Sequence, residues 1–92
     1  MIALRFRKEA EADLRDVVSY YRDVAPEVLP RILDDIHHAL RRLQDYPQLG
    51  AAVEGRSFRR IVTLRYHFKI AYLIEEPFLT VLGIFRYQDR ES

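Results

Sequence analysis

From Phe58 to Phe85 the chain reads FRRIVTLRYHFKIAYLIEEPFLTVLGIF, and this run limits the folds open to the sequence more than any other. Its first part alternates apolar and polar residues with the period of a half-buried strand. Two strands are predicted there, at about 57–63 and 67–75, joined by a tight turn near Leu64–Tyr66. The tripeptide EEP (75–77) makes the next turn. FLTVLGIF (78–85) is almost wholly apolar, as expected of a strand covered on both faces. The result is a three-strand meander over about 57–85, whose hydrophobic side needs a cover.

The upstream residues supply that cover. IALRFR (2–7) alternates apolar and basic residues and predicts one more strand. From Lys8 the period changes: Ala10, Leu14, Val17, Val18 and Tyr21 form one stripe of an amphipathic helix, with Glu9, Asp13, Asp16 and Arg22 facing away. DVAPE ends this helix. A second carries Leu29, Leu33, Ile36, Leu40 and Leu43 on one stripe, joined by Ile32. Pro26 suits its first position, but Pro30 would then lie four residues in and lack its backbone bond. The helix therefore either starts nearer Pro30 or enters with a kink. YPQLG (46–50) stops it, and AAVEG continues as loop. The order is β-α-α-β-β-β. The class is α+β, an antiparallel-rich sheet packed against a helical hairpin. The organisation is one domain, 1–92: strand 2–7, hairpin about 8–46, the meander, and a polar tail, 86–92.

The sequence contains no cysteine, which removes disulfide and thiolate chemistry and fits a reducing cytoplasm. Charge appears by residue 5, and no apolar run is long enough for a membrane span, so a cytoplasmic protein with no membrane partner is expected. Net charge is only +1. The cations are nevertheless gathered: Arg56, Arg59, Arg60, Arg65 and Lys69 lie between Glu54 and Glu75 with no acidic residue among them.

Familiar catalytic constellations are absent. His37 and His38 are adjacent on a helix, about 100° apart, and cannot chelate one ion unaided, so no metal and no cofactor is expected. The glycines Gly50, Gly55 and Gly83 write no phosphate-cradling loop. Asp34–Asp35 and Glu75–Glu76 fall where carboxylates are ordinarily solvated. The basic cluster remains, with Tyr66 and His67 interleaved and Arg86, Tyr87 and Arg90 after the last strand. Such a set suits phosphates and stacked bases. It equally suits a solvated sheet edge guarded against aggregation.

Three segments in order carry a resemblance: Phe58-Arg59-Arg60, then Phe68-Lys69-Ile70-Ala71-Tyr72, then Val81-Leu82-Gly83-Ile84, after a YPQLG helix exit. Together with EAEADLRDVVSYY upstream, they resemble the RelE/ParE superfamily of bacterial type II toxin–antitoxin toxins, ParE-like members above all. The resemblance implies a plasmid-stabilisation-type toxin that arrests growth and is neutralised by a cognate antitoxin in a heteromeric complex. ParE-like members inhibit DNA gyrase by binding, and that target is favoured. The alternative is RelE-like cleavage of mRNA on the ribosome, without a metal, in which Arg60, Lys69 and Arg86 would be the catalytic set. The companion lysine of that set corresponds here to Val62, and no closing tyrosine is matched, so no catalytic residue is assigned. A non-toxic binding module is the third reading. For any target, the expected contacts are Arg59, Arg60, Arg65, Tyr66, Lys69, Arg86, Tyr87 and Arg90. For the antitoxin they are Leu14, Val18, Tyr21, Phe58 and Arg59.

Overall fold

The computed structural model describes residues 1–86. Strand β1 (Ala3–Phe6) leads into helix α1 (Lys8–Val24), and helix α2 (Leu29–Asp45) returns. Strands β2 (Ala51–Ala52), β3 (Arg59–Val62), β4 (Phe68–Glu75) and β5 (Phe78–Arg86) follow. One five-stranded sheet has the order β1-β5-β4-β3-β2, antiparallel except for the β1–β5 pair. The expected β-α-α-β-β-β order is present, with one addition. AAVEG is not all loop, because Ala51 and Ala52 pair with Arg60 and Arg59.

Helix α1 has no side-chain N-cap; Glu9 and Glu11 in its first turn offset the positive end of the dipole instead. Helix α2 starts at Leu29, with Pro30 in the first turn, where a missing N–H costs nothing. Ala25–Val28 form a separate turn in front of it, in which the Val28 N–H donates to the Ala25 carbonyl. The helix therefore starts beside Pro30, and no kink is required.

Ala10 and Val17 of α1 and Ile32, Ile36, Ala39, Leu40 and Leu43 of α2 pack against Phe68, Ile70, Tyr72, Leu79, Val81 and Ile84 of the sheet. Simple alternation cannot place both Val81 and Ile84 on that face. A register shift makes it possible: Ala71 faces Gly83 while Tyr72 faces Val81, which leaves Leu82 extra as a β-bulge. The opposite face also buries Thr80, Ala71 and Lys69, in keeping with the apolar reading of the last strand.

β1 pairs with β5 only as far as Val81, so the edge of β5 beyond it meets α1 instead of a strand. There Asp13, read from sequence as facing away, accepts the Ile84 N–H at 3.0 Å. A helix side chain thus satisfies an edge that would otherwise be open to pairing.

Candidate functional site

Three places hold the residues singled out from the sequence. The first is the sheet face away from the helices. Arg60 lies opposite Ala71 and Val62 opposite Lys69, so Arg60 and Lys69 are diagonal neighbours on this face, a placement in which side chains as long as these come within reach of each other. Arg60 is half-buried and Lys69 is buried. Further along the same face, Arg5 donates to Glu75 at 3.2 Å and to Thr80 at 3.3 Å, and stacks 4.3 Å from the Phe78 ring centre. The Thr80 hydroxyl, first, and then Arg5 hold the Glu75 carboxyl below its usual range. That carboxylate is exposed, but engaged rather than merely solvated.

Arg59 points the other way, as strand parity requires. Its guanidinium donates to the Gly50 carbonyl at 2.8 Å. Beside it, the buried Tyr72 hydroxyl accepts the Gly50 N–H at 2.9 Å and donates to the Pro47 carbonyl at 2.7 Å. Burial raises the Tyr72 phenol above its ordinary value, against the opposing pull of the Gly50 N–H and Arg59. This latch holds the 46–50 exit against the sheet and explains Gly50: an added Cβ would lie 2.7 Å from the Tyr72 hydroxyl and 2.9 Å from the Arg60 carbonyl. Arg59, expected from the sequence as a contact residue, thus also ties the helix exit to the sheet.

The second place is the β3–β4 turn. Asp35, read as solvated, is only 4% exposed and lies beneath it. Its two oxygens accept the Arg65 N–H at 3.1 Å and the Tyr66 N–H at 2.7 Å. The Thr63 hydroxyl also donates to Asp35 while accepting the Phe68 N–H at 2.8 Å. Burial alone would raise the Asp35 carboxyl; Thr63, the two N–H groups and the charge of Arg65 together outweigh it and hold the carboxyl low. Arg65 is exposed, and Tyr66 is half-buried against the core.

The third place is α1. Arg86 lies across the sheet from Arg60 and Lys69, its guanidinium 4.9 Å from the Tyr20 ring centre. That is cation–π range. Asp13, Asp16, Val17, Tyr20, Tyr21, Ile84 and Phe85 join it around a shallow cleft. On the β1 side of the helix, Phe6, Leu14 and Val18 floor an open groove rimmed by Glu11, Arg15, Ser19 and Arg22. Of the antitoxin set, Leu14 and Val18 therefore share a surface. Tyr21 turns its ring toward Phe68, at 6.4 Å. Phe58 and Arg59 belong to the β3 side, three strand spacings or about 14 Å from β1. Tyr87 and Arg90 lie outside the described residues. His37 and His38 are both exposed, and no group of three or more potential metal ligands occurs among the described residues. Among those residues, too, no helix is long and apolar enough to cross a membrane.

The family model for the ParE toxin of the type II toxin-antitoxin system, parDE, matches residues 4–90. The fold is similar to the chromosomal ParDE TA system from P. aeruginosa, with a TM-score of 0.78 and 24% identity over 96% of this chain and 98% of that one. It is similar as well to a conserved hypothetical protein from Helicobacter pylori, with a TM-score of 0.65 and 20% identity over 95% and 96% of the two chains. At these identities the structural likeness shows the fold alone. No curated protein sequence matches the chain. On the family match, which spans nearly all of it, the chain belongs to the ParE toxins of type II toxin–antitoxin systems, within the RelE/ParE superfamily.

Proposed function

We propose that this toxin arrests growth by binding DNA gyrase, performs no chemistry of its own, and is neutralised by an antitoxin encoded with it. One observation carries the reading. The cations that RNA cleavage would need to converge on one phosphate are divided between two faces: Arg60 and Lys69 on one, Arg86 against Tyr20 on the other. Metal-free cleavage requires proton transfer and charge stabilisation around a single reacting centre, within hydrogen-bond reach. Val62, opposite Lys69, adds neither a proton donor nor a charge.

The antitoxin's place in this reading is the groove floored by Phe6, Leu14 and Val18. An amphipathic helix laid there would bury its apolar side and meet Arg15 and Arg22 with acidic residues. Contacts to Phe58 and Arg59 would need a second segment that reaches the β3 side.

A second reading, ribosome-dependent cleavage of mRNA, draws support from Arg60 and Lys69 sharing one sheet face. Inducing the chain alone and following labelled thymidine and labelled amino acids separates the two. The gyrase reading expects DNA synthesis to fail first, in filamenting cells that still translate. It also expects Arg60→Ala and Lys69→Ala, as lost contacts of a binding surface, to weaken toxicity only in part. An immediate collapse of translation, abolished by either substitution, would replace it with the enzyme.

A further inference from the structure

The β3–β4 turn is built in an unusual way for an exposed connection. Tight turns favour Gly, Asn, Asp, Pro or Ser, whose backbones or side chains suit the bend, yet Thr63-Leu64-Arg65-Tyr66-His67 contains none of these. His67 takes a left-handed φ of 59°, uncommon for any residue with a side chain but better tolerated by His, Asn and Asp than by most. The bend is held from below instead. Asp35 reaches up from the middle of α2 to take two successive turn N–H groups, and the buried Thr63 ties that carboxylate to the start of β4. Tyr66 anchors the turn by packing its side chain inward.

The outer side of this fixed turn carries Leu64, which is 62% exposed, and Arg65, also exposed. A lone exposed leucine is common on protein surfaces. This one differs because its backbone is fixed by a buried charge, so little conformational freedom is lost when a partner closes on it. An apolar side chain carried on a held backbone and flanked by a cation matches an apolar socket edged by carboxylates on another protein. It suits a nucleic acid poorly, since the aromatic ring of the turn, Tyr66, faces the core and cannot stack on a base.

We propose that the β3–β4 turn is the tip with which this toxin grips its target, that Leu64 enters an apolar socket beside acidic groups on a protein, and that Asp35 is the positioning residue that holds the tip in shape. This rests on the reading of the chain as a toxin that acts by binding.

The test compares wild type, Leu64→Ser, Arg65→Ala and Asp35→Asn, each produced with the antitoxin and then alone. Leu64→Ser is expected to raise the dose needed for half-maximal growth arrest at least 10-fold, while its melting temperature and antitoxin co-purification stay at wild-type levels. Asp35→Asn is expected to speed amide exchange at Arg65 and Tyr66 at least 10-fold and to weaken arrest, with Ile70 and Leu79 still protected. A purely structural role would loosen those core amides as well. Wild-type potency in Leu64→Ser overturns the tip, whether or not gyrase is the target. So does loss of arrest in Arg65→Ala alone, which would mark a contact with phosphate. Wild-type potency in Asp35→Asn, with the two turn amides freed, removes the positioning role. If wild type and Leu64→Ser differ in arrest but neither slows gyrase, the tip stands and the gyrase assignment falls. A wild-type chain that arrests nothing overturns both.

Discussion

Phe68→Ala is expected to cost about 3–5 kcal/mol, the range for truncating a buried aromatic. Phe68 is 1% exposed, and its ring meets Tyr21 edge-on with centroids 6.4 Å apart. Its N–H is held by the Thr63 hydroxyl and its carbonyl accepts the Thr63 N–H, so collapse of the surroundings into the cavity is opposed on both sides. Domains of this kind hold about 5–15 kcal/mol in total, so the variant should lose a large part of its stability. Urea denaturation checks this: the midpoint should fall by roughly 1–5 M, given slopes of about 1–3 kcal/mol per molar for small proteins. A shift worth less than 1 kcal/mol would mean that α1 does not seal the sheet in the way described. An antitoxin that binds only the folded toxin should restore the variant by mass action.

Asp35→Ala should be the most damaging change to a charged residue, at about 3 kcal/mol. It would leave two backbone N–H groups and a buried hydroxyl without their acceptor, and orphaned buried donors cost about 1–3 kcal/mol each where water cannot reach them. The same carboxylate gives a pH signature. Its folded-state value lies below the ordinary aspartate value near 3.8, so its contribution is fully present above that pH and is lost as pH falls through the lower, folded value. Wild-type stability should therefore decline below about pH 4, and Asp35→Asn should decline less steeply there. Glu75 is also held below its ordinary value, but it is present in both proteins, so the difference between the two curves isolates Asp35. Parallel curves would show that the carboxylate is not bonded as described.

Periodicity carried the reading of the sequence as far as it could go. The change from period 2 to a helical stripe at Lys8, and back to strands after Gly50, gives the order of elements. The bulge at Leu82 is invisible to it, because alternation presumes an unbroken ladder. So is β2: two alanines have no pattern, and they become a strand only because the Tyr72 and Arg59 latch sets Gly50 beside β3. Strand parity puts Arg59 and Arg60 on opposite faces, but nothing local says that a main-chain carbonyl would bond Arg59. Asp35 was missed for a similar reason. Its partners lie 30 and 31 residues away, and the turn that uses it contains none of the usual bend-forming residues. A carboxylate next to the apolar Ile36 stripe was the available signal. Arg86 also looked like one more member of a basic cluster until the sheet order placed it against α1.

The most direct test of binding without chemistry is supercoiling by purified gyrase in the presence of this purified toxin. Micromolar toxin should slow supercoiling, and the Arg60→Ala, Lys69→Ala double variant, which loses two expected contacts, should still slow it at a higher concentration. Unchanged supercoiling, together with toxin-dependent cleavage of mRNA on purified ribosomes, would contradict the account and return Arg60 and Lys69 to a catalytic role.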